Sequence, residues 1–372
     1  MTNSIEMLNT YLAQARRSLD DVGAIVIGNE AADLDSIVSA ILYGQLASSC
    51  RAPHEPLVAA VVNCPRADFP LRTEAAYLFA ELGVDVDSLL FIDEIDLDAL
   101  HRDGRLRLTL VDHNILCADQ EKYADAVVAI IDHHTNGGLY SQSQPRLIEP
   151  VGSAATLVAE AMLRDRPALI NVQSATLMLG TILLDTVNLD PAAERVTVKD
   201  QAMATRLNEI AGSNTGDLFA KLQAEKFNLS ALGTGDRLRK DFKAWETPAG
   251  SYGMSTVLTA LKEWSARAPD FDTGLEDFLR SRKLVCLVVM LAYTDASDAF
   301  HRELAVYVPD PELLQDLLAM LESSELDLEP IRPPGLASSS QELLFTQHNT
   351  SISRKKLQPL LHQFFSASSP VD

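Results

Sequence analysis

Acidic and histidine side chains follow three apolar stretches of this chain. They are Asp33 and Asp35 after Ala24–Ile27, Asp112 after Leu106–Val111, and Asp132, His133 and His134 after Val127–Ile131. Apolar runs of this length are typical of buried strands, so we expect the acids and imidazoles at strand ends. Carboxylates and imidazoles grouped in this way are ligands that divalent cations need. The sequence therefore predicts a metal-dependent hydrolase.

A further aspartate, Asp185, ends the apolar helical stretch Leu179–Leu184. An ionised carboxylate buried there is costly unless a cation compensates its charge. Simpler interpretations stay open at this stage. Asp185 could reach solvent from a helix C-terminus, Asp33 and Asp35 could cap the following helix, and a single histidine could be a satisfied core residue.

The composition is ordinary for a globular protein, but the surface is strongly acidic. No stretch approaches the ~20 apolar residues that span a bilayer. The net charge of −21, from 31 basic and 52 acidic residues, disfavours nucleic-acid binding. Cations and local basic residues can still reverse the field inside one cleft that takes a polyanionic substrate. We therefore expect no nucleic-acid partner and no membrane contact.

The N-terminal segment and the cysteines indicate a cytoplasmic protein. The segment has no apolar signal core, and its acids, Glu6, Asp20 and Asp21, are unlike a transit peptide. CxxC spacing is absent from the sequence. Free thiols in a reducing compartment are therefore predicted for all the cysteines, Cys50, Cys64, Cys117 and Cys286.

Strand and helix patterns alternate through the first part of the chain. Strands are predicted at Ala24–Ile27, Pro56–Asn63, Ser88–Ile92, Leu106–Val111 and Ala126–Ile131, and helices at Asp35–Ala47, Thr73–Leu82, Gly152–Leu163 and Ile170–Leu184. This alternation predicts an α/β fold with a mostly parallel sheet flanked by helices. Ligands of such sheets bind beyond the carboxyl ends of the strands, where the aspartates lie.

A chain of 372 residues is long enough for two domains. We place the first at 1–200, a helical linker at 201–227 and a smaller α/β domain at 228–372. The second domain has predicted strands at Leu284–Ala292 and Glu303–Val308, helices at Pro311–Leu321 and Lys355–Phe365, and a Pro- and Ser-rich loop at Glu329–Ser340.

Four short motifs resemble those of the DHH phosphoesterase superfamily. In order they are Asn29-x3-Asp33-x-Asp35, Asp112-His113-Asn114, Asp132-His133-His134 and Asp185. The second domain resembles the DHHA2 domain through Arg239-Lys240-Asp241-Phe242-Lys243 and Ser353-Arg354-Lys355-Lys356. The resemblance implies a DHH catalytic domain at 1–200 and a DHHA2 substrate-binding domain at 228–372, with the active site in the cleft between them.

Three features indicate the branch of this superfamily. Family II pyrophosphatases have a histidine where this chain has Asn29, whereas eukaryotic exopolyphosphatases and prune proteins are similar to it there. The segment 63–74 also resembles the exopolyphosphatase and prune branch. Prune proteins usually alter the second histidine of the DHH motif, and His134 is intact here. The motifs are therefore most similar to those of the exopolyphosphatases.

The resemblance implies two divalent cations that activate a water for attack on phosphorus. One cation would be held by Asp33 and Asp112, and the second by Asp35, Asp112, His133 and Asp185, so that Asp112 bridges them. Asn29 would lie near the first cation. Because an amide there removes a nitrogen ligand, Mg²⁺ is expected, with Mn²⁺ and Co²⁺ as alternatives. His134 would contact phosphate oxygens or protonate the leaving oxygen.

The resemblance also implies cations that bind the phosphates of the substrate. Arg354 and Lys355 are similar to the substrate-binding pair of the second domain, and Lys243 to a further phosphate-binding lysine. Arg66 and Arg72 are weaker candidates, for which structural salt bridges are an equal alternative. Arg282, in Ser281-Arg282-Lys283, partly repeats the motif, but it precedes a buried strand, and we expect no substrate contact there.

The implied function is an exopolyphosphatase, which removes terminal phosphate from linear polyphosphate as orthophosphate. The alternatives are an inorganic pyrophosphatase, which needs a closed two-phosphate site, and a prune-like nucleotide phosphodiesterase or interaction protein. No aromatic base platform is evident for a nucleotide. No heptad or amphipathic partner helix is evident either, so a monomer is expected.

Overall fold

The computed structural model describes residues 6–228, 232–268, 270–331 and 341–367, apart from the side chains of Glu6 and Asp272. The chain divides into two compact units, Met1–Asn228 and Leu229–Asp372. Most of the Pro- and Ser-rich segment Glu329–Ser340 that we predicted as a loop lies outside the described residues.

The first unit is built on a six-stranded sheet in the order β3-β2-β1-β4-β5-β6. The strands are β1 (Val22–Ile27), β2 (Leu57–Val62), β3 (Leu90–Phe91), β4 (Arg107–Val111), β5 (Val127–Asp132) and β6 (Arg146–Ile148). Every neighbouring pair is parallel, so the predicted parallel sheet is confirmed. Strands covered on both faces need apolar side chains on both, which is why they appear as continuous apolar runs.

Helices cover both faces of this sheet. They are α1 (Glu6–Arg17), α2 (Leu34–Cys50), α3 (Thr73–Leu82), α4 (Leu97–Arg102), α5 (Ala154–Asp165), α6 (Val172–Asp185), α7 (Val198–Ala211) and α8 (Thr215–Lys226). Leu207 of α7 and Leu222 of α8 are fully buried in the same core as α2, α5 and α6. The segment 201–227, which we predicted as a linker, is therefore helical but packs as part of the first unit.

The second unit has a mixed six-stranded sheet in the order β11-β12-β10-β9-β8-β7. Its elements are α9 (Thr234–Arg239), β7 (Phe242–Thr247), β8 (Gly250–Val257), α10 (Leu261–Arg267), α11 (Phe271–Ser281), β9 (Leu284–Thr294), β10 (Phe300–Tyr307), α12 (Pro311–Glu322), β11 (Leu328–Pro330), β12 (Glu342–Gln347) and α13 (Arg354–Ala367). Only β8 and β9 pair in parallel among these strands. Separate apolar clusters cover the two faces, one of them under α12 and α13.

Two other sequence-based expectations concern cysteines and membranes. Cys50, Cys64, Cys117 and Cys286 are all free, as predicted. Among the helices of the described residues, none combines the length and the apolar character that crossing a bilayer requires.

Candidate active site

The candidate site lies at the carboxyl edge of the first sheet. Strands β1, β4 and β5 are neighbours and run parallel, so the residues that follow them meet at one edge. Helix α2 starts at the same edge, after the loop 28–33 that follows β1. The fold thus brings together three of the sequence motifs that carry aspartate and histidine.

Asp112 is the centre of this cluster. Its backbone has a left-handed φ of 62°, and its amide donates to the carbonyl of Ile131 at 2.9 Å. Its Oδ2 accepts from Asn29 Nδ2 at 2.7 Å and from Ser36 Oγ at 2.6 Å. Its Oδ1 lies 3.1 Å from His133 Nε2. Both oxygens of one buried carboxylate are therefore held in fixed directions.

Asp33 and Asp35 lie at the start of α2 but have different surroundings. Asp33 is the N-cap residue and accepts from the Ser36 amide at 3.1 Å, so the capping interpretation correctly describes this contact. Asp35 is 3% exposed and accepts from the amides of Ala154 and Ala155, at 2.7 and 2.9 Å. Those amides are the first of α5, and a helix N-terminus stabilises a carboxylate.

Burial and mutual repulsion raise the pKa values of these acids. Burial, with the added charge of Asp112, raises the pKa of Asp33 and raises that of Asp35 to about 7. Burial, with the charges of Asp35 and Asp33, raises the pKa of Asp185 well above its usual range. Four carboxylates this close repel one another unless positive charge is placed between them.

Asp185 is the last residue of α6, and its Oδ2 is buried. Among the described residues none has hydrogen-bonding geometry to that oxygen, although the nearby Ser153 hydroxyl partly offsets the rise in the Asp185 pKa. The interpretation of Asp185 as an acid that reaches solvent is therefore not supported for this atom. A buried carboxylate oxygen without a partner is costly, and a cation removes that cost.

The two histidines of the DHH motif are held differently. His133 Nδ1 bonds the Val151 carbonyl at 2.9 Å, which directs Nε2 toward Asp112 at 3.1 Å and Asp35 at 3.7 Å. Burial lowers the pKa of His133, but the Asp112 hydrogen bond and the Asp35 charge outweigh it and raise the pKa to about 10. A carbonyl partner on Nδ1 is how proteins fix an imidazole for metal binding through Nε2.

His134 is exposed, and its Nδ1 lies 2.8 Å from Asp132 Oδ1 and 3.7 Å from Asp112 Oδ1. The Asp132 hydrogen bond raises the pKa of His134, which favours its protonated form. Asp132 itself is fully buried, and Asn114 donates to its other oxygen. Asp132 therefore orients His134, and Asn114 orients Asp132.

The arrangement fits a hard divalent cation. Asp112, His133 and His134 each offer a ligand atom, and these atoms lie within 4.8 Å of one another. Asp33, Asp35, Asp185 and Asn29 line the same cavity, which has a volume of about 460 Å³. Mostly carboxylate ligands with one or two imidazoles suit Mg²⁺ or Mn²⁺.

Several residues that line the cavity or hold its lining residues were not predicted from the sequence. Ser36 holds Asp112, Val151 holds His133, and the segment Glu194–Thr197 lines the cavity from the connection between α6 and α7. For Ser36, the sequence offered one signal, its position directly after Asp35 at the start of the helix. The other contacts come from residues far apart in the chain.

Arg66 and Arg72 make intramolecular contacts. Arg66 pairs with Glu94 at 2.5 Å and stacks on Phe91 at 4.4 Å, which is the salt-bridge alternative. Arg72 donates to the carbonyl of Ala31 at 2.7 Å and so holds the loop that carries Asn29 and Asp33. Both arginines therefore support structure around the site.

In the second unit, Arg354 joins the two basic motifs. This first residue of α13 pairs with Asp241 Oδ1 at 2.7 Å and donates to the Asp241 carbonyl at 2.5 Å. Asp241 is two residues before Lys243, which is exposed on the edge strand β7; Lys355 is exposed as well. The predicted phosphate-binding cations of the second unit therefore belong to adjoining segments.

Arg282, which we expected not to contact substrate, stacks on two aromatic rings. Its guanidinium lies 4.8 Å from the Phe242 ring centroid and 4.6 Å from that of Phe278. These contacts give Arg282 a packing role beside β7.

Comparisons with known proteins give the family. Residues 24–182 match the N-terminal domain of the DHH family, and residues 220–364 match the DHHA2 domain. The chain is 35% identical to mouse Exopolyphosphatase PRUNE1, over 97% of this chain and 80% of that protein. It is 34% identical to the human protein of that name, with the same coverage.

A more distant relative is the Manganese-dependent inorganic pyrophosphatase of Methanothrix thermoacetophila. It is 27% identical over 73% of this chain and 83% of its own length. With both domain models matched and a close relative covered over most of its length, the chain belongs to the DHH family, in the group that carries a DHHA2 domain.

Proposed function

We propose that this protein is an exopolyphosphatase, which hydrolyses the terminal phosphoanhydride bond of linear polyphosphate and releases orthophosphate. The observation that carries the proposal is the buried Asp112 carboxylate, on which Asn29, Ser36 and His133 converge. The similarity to proteins named exopolyphosphatase supports the substrate class.

The acids of the site support a proposal of two divalent cations. We propose that Asp33 and Asp112 hold one, that Asp35, Asp112, His133 and Asp185 hold the other, and that Mg²⁺ is preferred. When bound, such cations supply an activated water and neutralise phosphoryl charge. Asn29 orients Asp112, because its amide donates to Oδ2 and to the Asp112 carbonyl, the latter at 3.2 Å.

In this proposal His134 is the general acid that protonates the leaving oxygen. Water attacks the terminal phosphorus and gives up a proton to solvent, the bond to the bridging oxygen breaks, and the shortened polyphosphate leaves with the electron pair. The leaving oxygen takes a proton from His134, which is exposed and whose pKa is raised by Asp132. A raised pKa favours the protonated imidazole, which is the form that a general acid needs before this step.

The charge on the nonbridging oxygens needs further cations. We propose Lys243, Arg354 and Lys355 of the second unit for this role. Arg66 and Arg72 receive only a supporting role, because neither lines the cavity and their contacts with Glu94 and the Ala31 carbonyl hold the surrounding structure.

The second candidate is an inorganic pyrophosphatase, which the Methanothrix relative's name favours. One assay separates the two. Orthophosphate release should be measured from pyrophosphate, tripolyphosphate and long-chain polyphosphate, each with Mg²⁺, Mn²⁺ and Co²⁺. We expect the highest kcat/KM on a substrate of three or more phosphates. Turnover of pyrophosphate alone would make the protein a pyrophosphatase, and no phosphate release with any metal would refute both.

A further inference from the structure

We propose that Arg195 is a phosphate-binding residue that the first unit supplies to the substrate. This proposal rests on the proposed function and deepens it. Arg195 belongs to the segment 186–197 between α6 and α7, which none of the predicted motifs includes.

The first line of support is the charge of the cavity. Its lining residues include five acids, Asp33, Asp35, Asp112, Asp185 and Glu194. Arg195 is the one lysine or arginine among the described residues that line it. A polyanionic substrate entering between acids needs positive charge near its oxygens, and a guanidinium matches phosphate geometry well.

The second line of support is that Arg195 is available. It is exposed, and in the described parts of the chain its guanidinium has neither a hydrogen bond nor an ion pair. Nearby Lys199 is different, because it pairs with Glu149 at 2.6 Å and Glu160 at 3.0 Å. Arg66 and Arg72 are also engaged. Arg195 therefore has a charge that no protein acid offsets directly.

The third line of support is that a buried acid anchors the segment. Asp200 is 0% exposed and accepts from the amide and hydroxyl of Thr197, both at 2.7 Å. It also accepts from the Gly152 amide at 2.9 Å and from Thr156 Oγ1 at 2.6 Å. Because Gly152 follows Val151, the carbonyl partner of His133, these bonds tie the segment to the metal-binding residues.

The backbone at Arg195 packs closely against Gly152. A Cβ on Gly152 would lie 2.6 Å from the Arg195 carbonyl oxygen and 2.4 Å from Thr186 Cγ2. The segment also has unusual backbone, with left-handed φ values of 52° at Val187 and 54° at Glu194. Such conformations persist only where the surroundings fix them, and they are concentrated at functional sites. The backbone at Arg195 is therefore held beside the site.

The test uses the full chain and compares Arg195→Ala, Arg195→Lys and a control, Arg206→Ala. Arg206 is an exposed arginine of α7 that does not line the cavity. Calorimetry measures binding of Mn²⁺ alone, and then of imidodiphosphate, a nonhydrolysable pyrophosphate analogue, to the Mn²⁺-loaded protein. Steady-state assays with tripolyphosphate give KM and kcat.

We expect Arg195→Ala to weaken imidodiphosphate binding and raise KM by about tenfold or more, as loss of one charge-assisted contact does. Mn²⁺ affinity should stay near that of the wild type, and Arg195→Lys should restore part of the loss. Arg206→Ala should change nothing.

Two other results have distinct meanings. If the wild type is active and Arg195→Ala has the same analogue affinity and the same KM, the proposed role of Arg195 is overturned. The proposed function of the protein is not affected by that result. A wild type that neither binds imidodiphosphate nor hydrolyses any polyphosphate would refute the proposed function, and the Arg195 proposal with it.

Discussion

The side-chain amide of Asn29 donates to Asp112 Oδ2 at 2.7 Å, and its Oδ1 accepts from the Ala31 amide at 2.9 Å. The Ala31 contact fixes which end of the Asn29 amide is oxygen, because a backbone N–H can only donate. Asn29 therefore presents its NH₂ group to Asp112, and it would influence a bound cation through that carboxylate.

Replacing Asn29 tests how metal preference is set. Asn29→His offers an imidazole nitrogen in place of the amide, so we expect tighter Mn²⁺ and Co²⁺ binding and higher relative activity with these ions than with Mg²⁺. Calorimetric affinities and kcat/KM for the three metals provide the measurement. Unchanged ratios across the metals would show that position 29 does not set the choice.

Replacing Asp112 tests whether its carboxylate is needed for activity with every cation. Asp112→Asn should lower kcat/KM at least about 1,000-fold with every cation, because a ligand that contributes several kcal/mol is lost. Phosphate-release assays with Mg²⁺, Mn²⁺ and Co²⁺ measure the effect. Activity within tenfold of wild type would contradict the metal site.

The pKa of His133 predicts that metal binding releases protons. In the metal-free protein the pKa is about 10, so the ring is protonated at neutral pH, whereas a metal ligand must be neutral. Asp35, with a pKa of about 7, adds a fraction of a proton near that pH. The metal-free form binds more protons than the loaded form, so metal affinity should rise with pH up to about 10.

Calorimetry in two buffers of different ionisation enthalpy checks this prediction. At pH between 7 and 8, the observed enthalpy of Mn²⁺ binding should depend on the ionisation enthalpy of the buffer. The size of this dependence should correspond to the release of about one proton or more for each ion bound. His348→Ala removes an exposed imidazole of the second unit and serves as the control. A buffer-independent enthalpy would mean that His133 is already neutral in the free protein.

The parts of the site that follow strands could be predicted from the sequence. Asp112 and the pair Asp132-His133 come directly after apolar runs, and a parallel sheet brings such strand ends to one edge. Helix α3 also has the predicted bounds, Thr73–Leu82, because its apolar spacing is regular.

The parts that depend on tertiary contacts could not be predicted. Asp200 reaches Gly152 across 48 positions, and Arg66 reaches Glu94 across 28. Patterns in short stretches of sequence do not indicate which residues pair over such separations. Short elements such as β6, of three residues, and the half-exposed β7 lack the periodicity that identifies strands.

The two arginines Arg354 and Arg282 offer a matched comparison within the second unit. Arg354→Ala removes a proposed phosphate-binding cation, so kcat/KM should fall at least ~100-fold, on the scale of other groups that stabilise transition-state charge. Two cations should still bind normally by calorimetry, because no proposed metal ligand changes.

Arg282→Ala instead removes the stacking on Phe242 and Phe278. We expect it to lower the free energy of unfolding by about 0.5–2 kcal/mol, the usual range for cation–π contacts, with kcat/KM nearly unchanged. Denaturant unfolding and steady-state kinetics on both variants separate the two roles. If Arg282→Ala lost activity and Arg354→Ala kept it, the phosphate-binding cation would be Arg282. If both kept activity, neither arginine would bind substrate, and Lys243 and Lys355 would be the cations to test next.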